Sequence, residues 1–205
     1  KWGDMTSIMV FFTSLWIKLF FVLTPFFGLT MFVTLTEGYD QQHRKRLALS
    51  VASAAAVICL ILFFVGPQVF ALFGITLDSF RVGAGTLLLL SGISLCQGRA
   101  GAGGGVTGGD IAVVPLAIPI IVGPATTGTL LVMGAELSTL RGKLIGSLAL
   151  LAAVGCVGAV LVSATALQRI LGLRGIAILS RLTGLIVAAL AAQMIMTGVR
   201  SFLGI

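Results

Sequence analysis

Charge is what this chain has least of. Only 9% of its 205 residues are Asp, Glu, Lys or Arg, where a soluble domain carries about 25%. That shortage excludes an ordinary water-facing globular surface. Histidine occurs once, at His43, among charged neighbours, so a Ser–His hydrolase inside the membrane has no base to use. Its place in a basic loop reads as a solvated side chain. The interiors of the apolar runs hold no Asp or Glu, which leaves a carboxylate dyad or an acid-built metal cluster without material. An intramembrane enzyme is disfavoured, and no cofactor is expected. The three cysteines, Cys59, Cys96 and Cys156, stand alone within apolar runs and form no CxxC pair. They read as small packing residues, not as a disulfide framework or metal site. The Gly-rich stretch at 98–109 lacks the Lys-Ser/Thr of a phosphate loop, which excludes ATP drive within this chain and reads as a flexible linker.

What is present is apolar length. The chain is 58% hydrophobic, with a mean hydropathy of +1.17. Charge-free runs cover 19–36, 47–77, 82–98, 111–135, 144–168 and 182–199. A spanning helix needs about 20 apolar residues, so the fold class is all-α, a multi-pass membrane protein with six transmembrane segments. The predicted spans are about 8–36, 47–65, 77–97, 111–135, 144–167 and 176–199. Gly66-Pro67 is expected to end the second. The N-terminal apolar stretch has no small-residue cleavage site after it and reads as a retained span. Lys18 within it is expected to snorkel to the interface, placing 1–17 partly along the membrane surface. Ala48, Ala52 and Ala56 predict a small-residue contact stripe, and Gly142, Gly146, Gly155 and Gly158 predict tight packing of the fifth span. The excess of 13 Lys and Arg over 6 acids is the pattern of basic loops flanking apolar spans, with no aromatic and basic platform for nucleic acid. Arg44, Lys45, Arg46, Arg99, Arg169 and Arg174 share one side, which predicts that side to be cytoplasmic and both termini to lie outside.

Proline is scarce, and its places are informative. Of five prolines, Pro25 interrupts the first span, and Pro115, Pro119 and Pro124 interrupt the fourth. Proline removes a backbone donor and clashes with the preceding turn. A helix broken in lipid is tolerated only where protein or water covers the freed peptide groups. A matched pair of interrupted segments is the best sequence pointer to a transporter's binding site. The two halves overlay at a near-constant offset: Pro25 on Pro124, the Arg44 cluster on Arg141 and Lys143, Leu72-Phe73-Gly74-Ile75 on Ile170-Leu171-Gly172-Leu173, Arg81 and Gly85 on Arg181 and Gly184, and Gly98 on Gly198. A duplicated unit with an odd number of spans inserts upside down the second time. The expected architecture is a single membrane domain over 1–205, built of two inverted three-helix repeats at about 8–98 and 110–200, with the first and fourth spans discontinuous.

A restart after such a break offers free N–H groups and the positive end of a helix dipole to an anion. Gly123, Pro124, Ala125, Thr126 and Thr127 have the form of a restart, as do Thr24, Pro25, Phe26, Phe27, Gly28 and Thr30. Pro119 lies in the second break. Carbonyls freed before each break and the hydroxyls of Thr24, Thr30, Thr126 and Thr127 suit an ammonium group. Phe26 or Phe27 would limit substrate size. The alternative for the prolines is a packing kink, and for each threonine a bond to its own helix. Arg81 and Arg181 each sit just inside a span, with structural or gating roles, and Asp78 is placed as a local partner of Arg81. Asp110 and Glu136 bracket the fourth span, either at the interface or in a proton relay.

The string Asp110-Ile111-Ala112-Val113-Val114-Pro115-Leu116-Ala117-Ile118-Pro119, followed by Gly123-Pro124, resembles the MarC family of bacterial and archaeal membrane proteins. So do Leu72-Phe73-Gly74-Ile75, Phe80-Arg81-Val82-Gly83-Ala84-Gly85 and Ser180-Arg181-Leu182-Thr183-Gly184-Leu185. The resemblance implies a six-span protein of the cytoplasmic (inner) membrane. Its SnatA-like members are associated with transport of small neutral amino acids such as glycine and alanine. The chain departs from that pattern at Thr24, where the family has Asn or Asp, at Thr30, where it has a second proline, and at Phe27, where it has glycine. The function expected is secondary transport of a small neutral amino acid, coupled to protons or sodium or passive. A channel or an exporter of another small solute is the alternative. The partners are the solute and the lipid bilayer, and a homo-oligomer is compatible with them.

Overall fold

The computed structural model describes residues 2–98 and 122–204, with side chains described from residue 7 onward. Pro115, Pro119, Asp110, Arg99 and most of the glycine-rich stretch lie outside the described residues. Among the described residues seven helices follow one another: α1 (Trp2–Val22), α2 (Pro25–Leu35), α3 (Gln41–Phe73), α4 (Leu77–Gln97), α5 (Pro124–Glu136), α6 (Leu140–Val162) and α7 (Ala164–Leu203). By length and apolarity, five stretches of the described residues can cross a membrane: Ser7–Leu35, Gln41–Phe73, Leu77–Gln97, Leu140–Val162 and Ala164–Leu203. The expected fourth span contributes α5, whose 13 residues reach only about 20 Å at about 1.5 Å per residue. The hydrocarbon layer is about 30 Å thick, so α5 alone does not cross it.

Helix boundaries have local causes. Asp40 caps α3 by accepting from the Gln42 N–H at 3.2 Å. Thr76 caps α4 through the Ser79 N–H, and Thr139 caps α6 through the Gly142 N–H. Each side-chain oxygen satisfies one of the donors that a helix start leaves open. At the other end of α2, the Arg44 guanidinium donates twice to the Thr36 carbonyl, at 3.0 and 2.7 Å. That basic residue serves as a C-cap as well as a loop charge. Gly74 ends α3 with φ 61°, and Gly172 bends α7 with φ 65°. These two glycines are the pair matched between the halves in sequence, and both take a positive φ, open to glycine without a Cβ clash, although Gly74 is left-handed helical with ψ 24° and Gly172 is extended with ψ 170°.

Several boundaries differ from expectation. The second span does not end at Gly66-Pro67, because α3 runs through Pro67 to Phe73. The carbonyl that Pro67 leaves without its N–H partner is that of Phe63, four residues back. Gly134 of α5 closes directly on that oxygen, and Gly66 closes on the Leu131 carbonyl in return. Two bare Cα positions thus let α3 and α5 meet backbone to backbone, and weak Cα–H···O contacts cover the freed group. The segment between the fifth and sixth spans is helical from Ala164 onward, with the bend at Gly172 in place of a loop. Helix α1 is unbroken through Lys18, so it provides no bend on which 1–17 could turn onto the surface. The buried stripe of α3 runs through Leu47, Ala48, Val51, Ala55, Cys59 and Phe63, not through Ala52 and Ala56, although Ala52 meets Gly158. Gly146 admits Phe63 and Leu137, while Gly155 faces open space and packs nothing.

The core forms where α1, α2, α3, α5 and α6 converge, around Leu19, Leu29, Phe32, Phe63, Leu130 and Leu150. A second seam joins α4 to α7. There Gly85 meets Ala191 and Ile195, Gly92 meets Gly184 and Ala188, Gly98 meets Arg181, and Gly198 meets Asp78, Arg81 and Val82. Rising numbers on α4 meet falling numbers on α7, so the two helices run antiparallel.

Candidate functional site

The apolar stretch Ser7–Leu35 is interrupted close to its middle. Helix α1 ends at Val22 and α2 begins at Pro25. Thr24 between them has φ 46° and ψ 58°, the one non-glycine residue with positive φ among those described. A β-branched residue there is a genuine outlier, costing about 1–2 kcal/mol. The Thr24 side chain makes no capping bond to α2 that would offset this. Asn and Gly tolerate the left-handed region best. Thr24→Asn is therefore expected to stabilise the fold by about 1 kcal/mol, raising the thermal midpoint of the purified protein by about 2–4 °C. An unchanged or lowered midpoint would count against stored strain at this position.

The break is held from both sides. Phe26 packs edge-on against Phe20 across it, with ring centroids 6.4 Å apart. From the other half of the chain, the buried Thr126 hydroxyl donates to the Val22 carbonyl at 3.3 Å. Val22 is the last residue of α1 and Thr126 lies in the first turn of α5, so the first break and the second restart touch. Gly123 leads into α5 in extended conformation, with φ −75° and ψ 176°, and Pro124 occupies the first turn. Proline suits that position because its missing N–H would have had no helical acceptor.

Two hollows flank this junction. The first is a cleft of about 260 Å³ between α1, α4, α5 and α7. Its polar lining is Lys18, Arg81, Thr129, Glu136, Gln193 and Thr197, and Val22 at the helix break, Leu88 and Leu190 are among its apolar lining. The second, about 810 Å³, lies between α4 and the start of α5 and is lined mainly by apolar groups, with Gly123, Pro124 and Thr127 on one wall and Ser79 and Phe80 on the other.

The sequence-predicted residues divide among these places. Gly123, Pro124 and Thr127 line the second hollow, while Ala125 and Thr126 are buried beside it. Thr24, Phe26, Phe27 and Thr30 are half-buried, Pro25 and Gly28 are buried, and none of the six lines either hollow. The Thr30 hydroxyl is turned back onto the Phe26 carbonyl at 2.9 Å, a bond within its own helix. Pro119 lies outside the described residues.

Arg81 has the local partner expected of it. Its guanidinium meets Asp78 Oδ1 at 2.6 Å, and also Glu136 Oε1 at 2.8 and 3.0 Å. The second pairing joins α4 to the last residue of α5, 55 positions along the chain, and no local sequence pattern announces it. Arg181 lies against Gly98, the residue that ends α4. Lys18 and Gln193 were not singled out as site residues in the sequence. The one signal for Lys18 was a lysine inside an apolar run, at a cost of about 2.5–3.5 kcal/mol at the centre of a membrane helix. No group of three or more potential metal ligands occurs among the described residues.

A bundle of apolar helices, one broken near its middle and braced there by a helix start from the other half, defines an integral membrane protein of multi-pass α-helical type. The chain belongs to the MarC family of integral membrane proteins, whose family model matches residues 9–203. It is 34% identical to a UPF0056 membrane protein of Methanocaldococcus jannaschii, over 91% of this chain and 94% of that one. A UPF0056 membrane protein of Pyrococcus abyssi is 30% identical over 98% of this chain and all of its own length. The UPF0056 inner membrane protein YhgN of Escherichia coli is 26% identical over 91% and 95%. No solved structure matches the chain.

Proposed function

We propose that this protein is a secondary transporter of small neutral amino acids of the glycine and alanine class, bound where the two interrupted segments meet. The observation that carries the reading is the hydrogen bond from Thr126 to the Val22 carbonyl. It couples a helix end, with carbonyls suited to an ammonium group, to a helix start, with N–H groups suited to a carboxylate. Helix termini of this kind suit a zwitterion without requiring a charged side chain at the junction. Coupling to protons or sodium belongs to the same proposal, as does an inner-membrane location with both termini outside.

The inverted-repeat arrangement is part of this reading, and the α4–α7 seam supports it. Exchanging the halves turns the contact of Gly85 with Ala191 into that of Gly184 with Gly92. It turns Gly98 beside Arg181 into Gly198 beside Arg81. Each contact and its exchanged counterpart occur together. A channel is less well supported, because apolar residues such as Val22, Leu88 and Leu190 line much of the cleft and no ring of charged side chains is present among the described residues, whereas a channel needs a continuous conducting path.

The test is counterflow of labelled glycine, alanine and serine in liposomes, with and without proton and sodium gradients. Gly123→Val is expected to abolish uptake while leaving the protein monodisperse, since a branched side chain would obstruct approach to the first amides of α5. Counterflow by Gly123→Val at the unmodified rate would remove those amides from the site. Absence of counterflow for every small amino acid would remove the substrate class.

A further inference from the structure

The cleft between α1, α4, α5 and α7 holds an uneven set of charges. Arg81, which lines it, is shared by two carboxylates, Asp78 and Glu136. Lys18 enters the same cleft from α1. It makes no hydrogen bond or ion pair among the described residues, although it sits within an apolar helix. On α7, the Gln193 side-chain amide is likewise without a hydrogen bond among the described residues. The neighbouring Thr129 and Thr197 hydroxyls donate to carbonyls of their own helices, at 2.9 and 2.8 Å. Among the described residues, one ammonium on α1 and one side-chain amide on α7 therefore remain as uncommitted donors lining the same cleft.

We propose that this cleft is a binding site for a small monocarboxylate, in which Lys18 pairs with one carboxylate oxygen and the Gln193 amide donates to the other. A strongly hydrated ammonium and a neutral amide make a moderate site, suited to a ligand that must also leave. The volume of about 260 Å³ lies just below the range of about 300–1,000 Å³ typical of drug-sized ligands. It suits a molecule of a few heavy atoms with some water. Glu136 bonds Arg81 through Oε1 alone, so Oε2 can take an ammonium group when the carboxylate belongs to an amino acid. The site rests on the transport reading and deepens it by placing solute capture in the cleft, which Val22 at the helix junction also lines.

The test is equilibrium binding of labelled glycine to the purified protein in nanodiscs, with acetate and methylamine as competitors, followed by direct binding of labelled acetate. Acetate is expected to displace glycine, and methylamine at the same concentration much less. Lys18→Gln should weaken glycine and acetate binding by about tenfold or more, while Lys18→Arg stays within about threefold. Lys18 is exposed and has no partner to lose among the described residues, so Lys18→Gln is expected to remain folded, with monodispersity as the check. Gln193→Leu should weaken acetate in the same direction. Unchanged affinity in Lys18→Gln, equal displacement by methylamine, or no binding of either carboxylate overturns the proposal. Lys18-dependent acetate binding by a protein without counterflow would sink the transport reading and leave this site standing. Wild-type binding and counterflow by Lys18→Gln would do the reverse.

Discussion

Replacing Gly134 with valine is expected to prevent the protein from assembling. A Cβ at this position runs into the backbone carbonyl of Phe63 on α3. Backbone cannot rotate away as a side-chain tip can, so α3 and α5 would have to separate. Overpacking a well-filled core costs about 1–3 kcal/mol, and occasionally more. Here the cost lies at the upper end, because separation also uncovers the carbonyl freed by Pro67 and opens the Gly66 contact with Leu131. Loss of monodisperse protein after extraction, or a thermal midpoint lowered by more than about 6 °C, is the expected outcome. Gly155 is the control. It faces open space, and Gly155→Ala should leave the midpoint unchanged or raise it, since alanine favours helix by about 1 kcal/mol. Equal behaviour of the two variants would mean that the α3–α5 contact does not carry the fold.

A charge reversal at Arg81 is the second large effect. Arg81→Glu would place three carboxylates where one guanidinium now joins two. Breaking a fully buried ion pair costs about 3–5 kcal/mol. The side chain of Arg81 is 15% exposed and that of Glu136 is 42% exposed, so solvent reduces the figure to about 2–3 kcal/mol. The single variant should unfold about 4–12 °C lower and lose counterflow. Adding Glu136→Arg restores opposite charges across the α4–α5 contact and should recover at least half of the loss. Failure of the double variant to exceed the single one in thermal unfolding would show that the pair is incidental to how the two helices meet.

Pro25, set in an apolar run, announces the interruption after Val22 because proline cannot continue the i to i−4 ladder. Gly123-Pro124 announces the start of α5 for the complementary reason, since a first-turn N–H is dispensable. Pro67 carries the same local signal and gives a different result. Gly134, distant in sequence, covers the carbonyl that Pro67 exposes, and α3 continues. Local patterns therefore locate potential breaks, while tertiary contacts decide which become real. The positive-φ turn was foreshadowed by the Leu72-Phe73-Gly74-Ile75 match with 170–173, whose glycines share positive φ. The Asp78–Arg81 pairing follows from spacing of three on one helix. Glu136 as the third member does not, and neither does the cleft, because Lys18, Gln193 and Glu136 come together only through the packing of α1, α7 and α5. Threonine roles were the least legible. Thr126 reaches across to the other half, whereas Thr30 folds back on its own helix, and nothing in the local sequence distinguishes them.

The glycine seam of α4 and α7 also determines which kinds of motion are open to the molecule. Contacts near Gly85, Gly92, Gly184 and Gly198 run along most of α4, with backbone atoms and the first side-chain atoms of the facing helix lying directly against each glycine. Sliding one helix past the other would drive Ala188 or Ile195 into a peptide group within a single step. Small rotation about the shared line encounters no such obstacle. Under the transport reading proposed above, the seam is the line about which a swing of the helix junction from one side of the bilayer to the other would turn. A covalent bridge placed along that line would leave such a cycle running, while one from α1 to α5 would stop it.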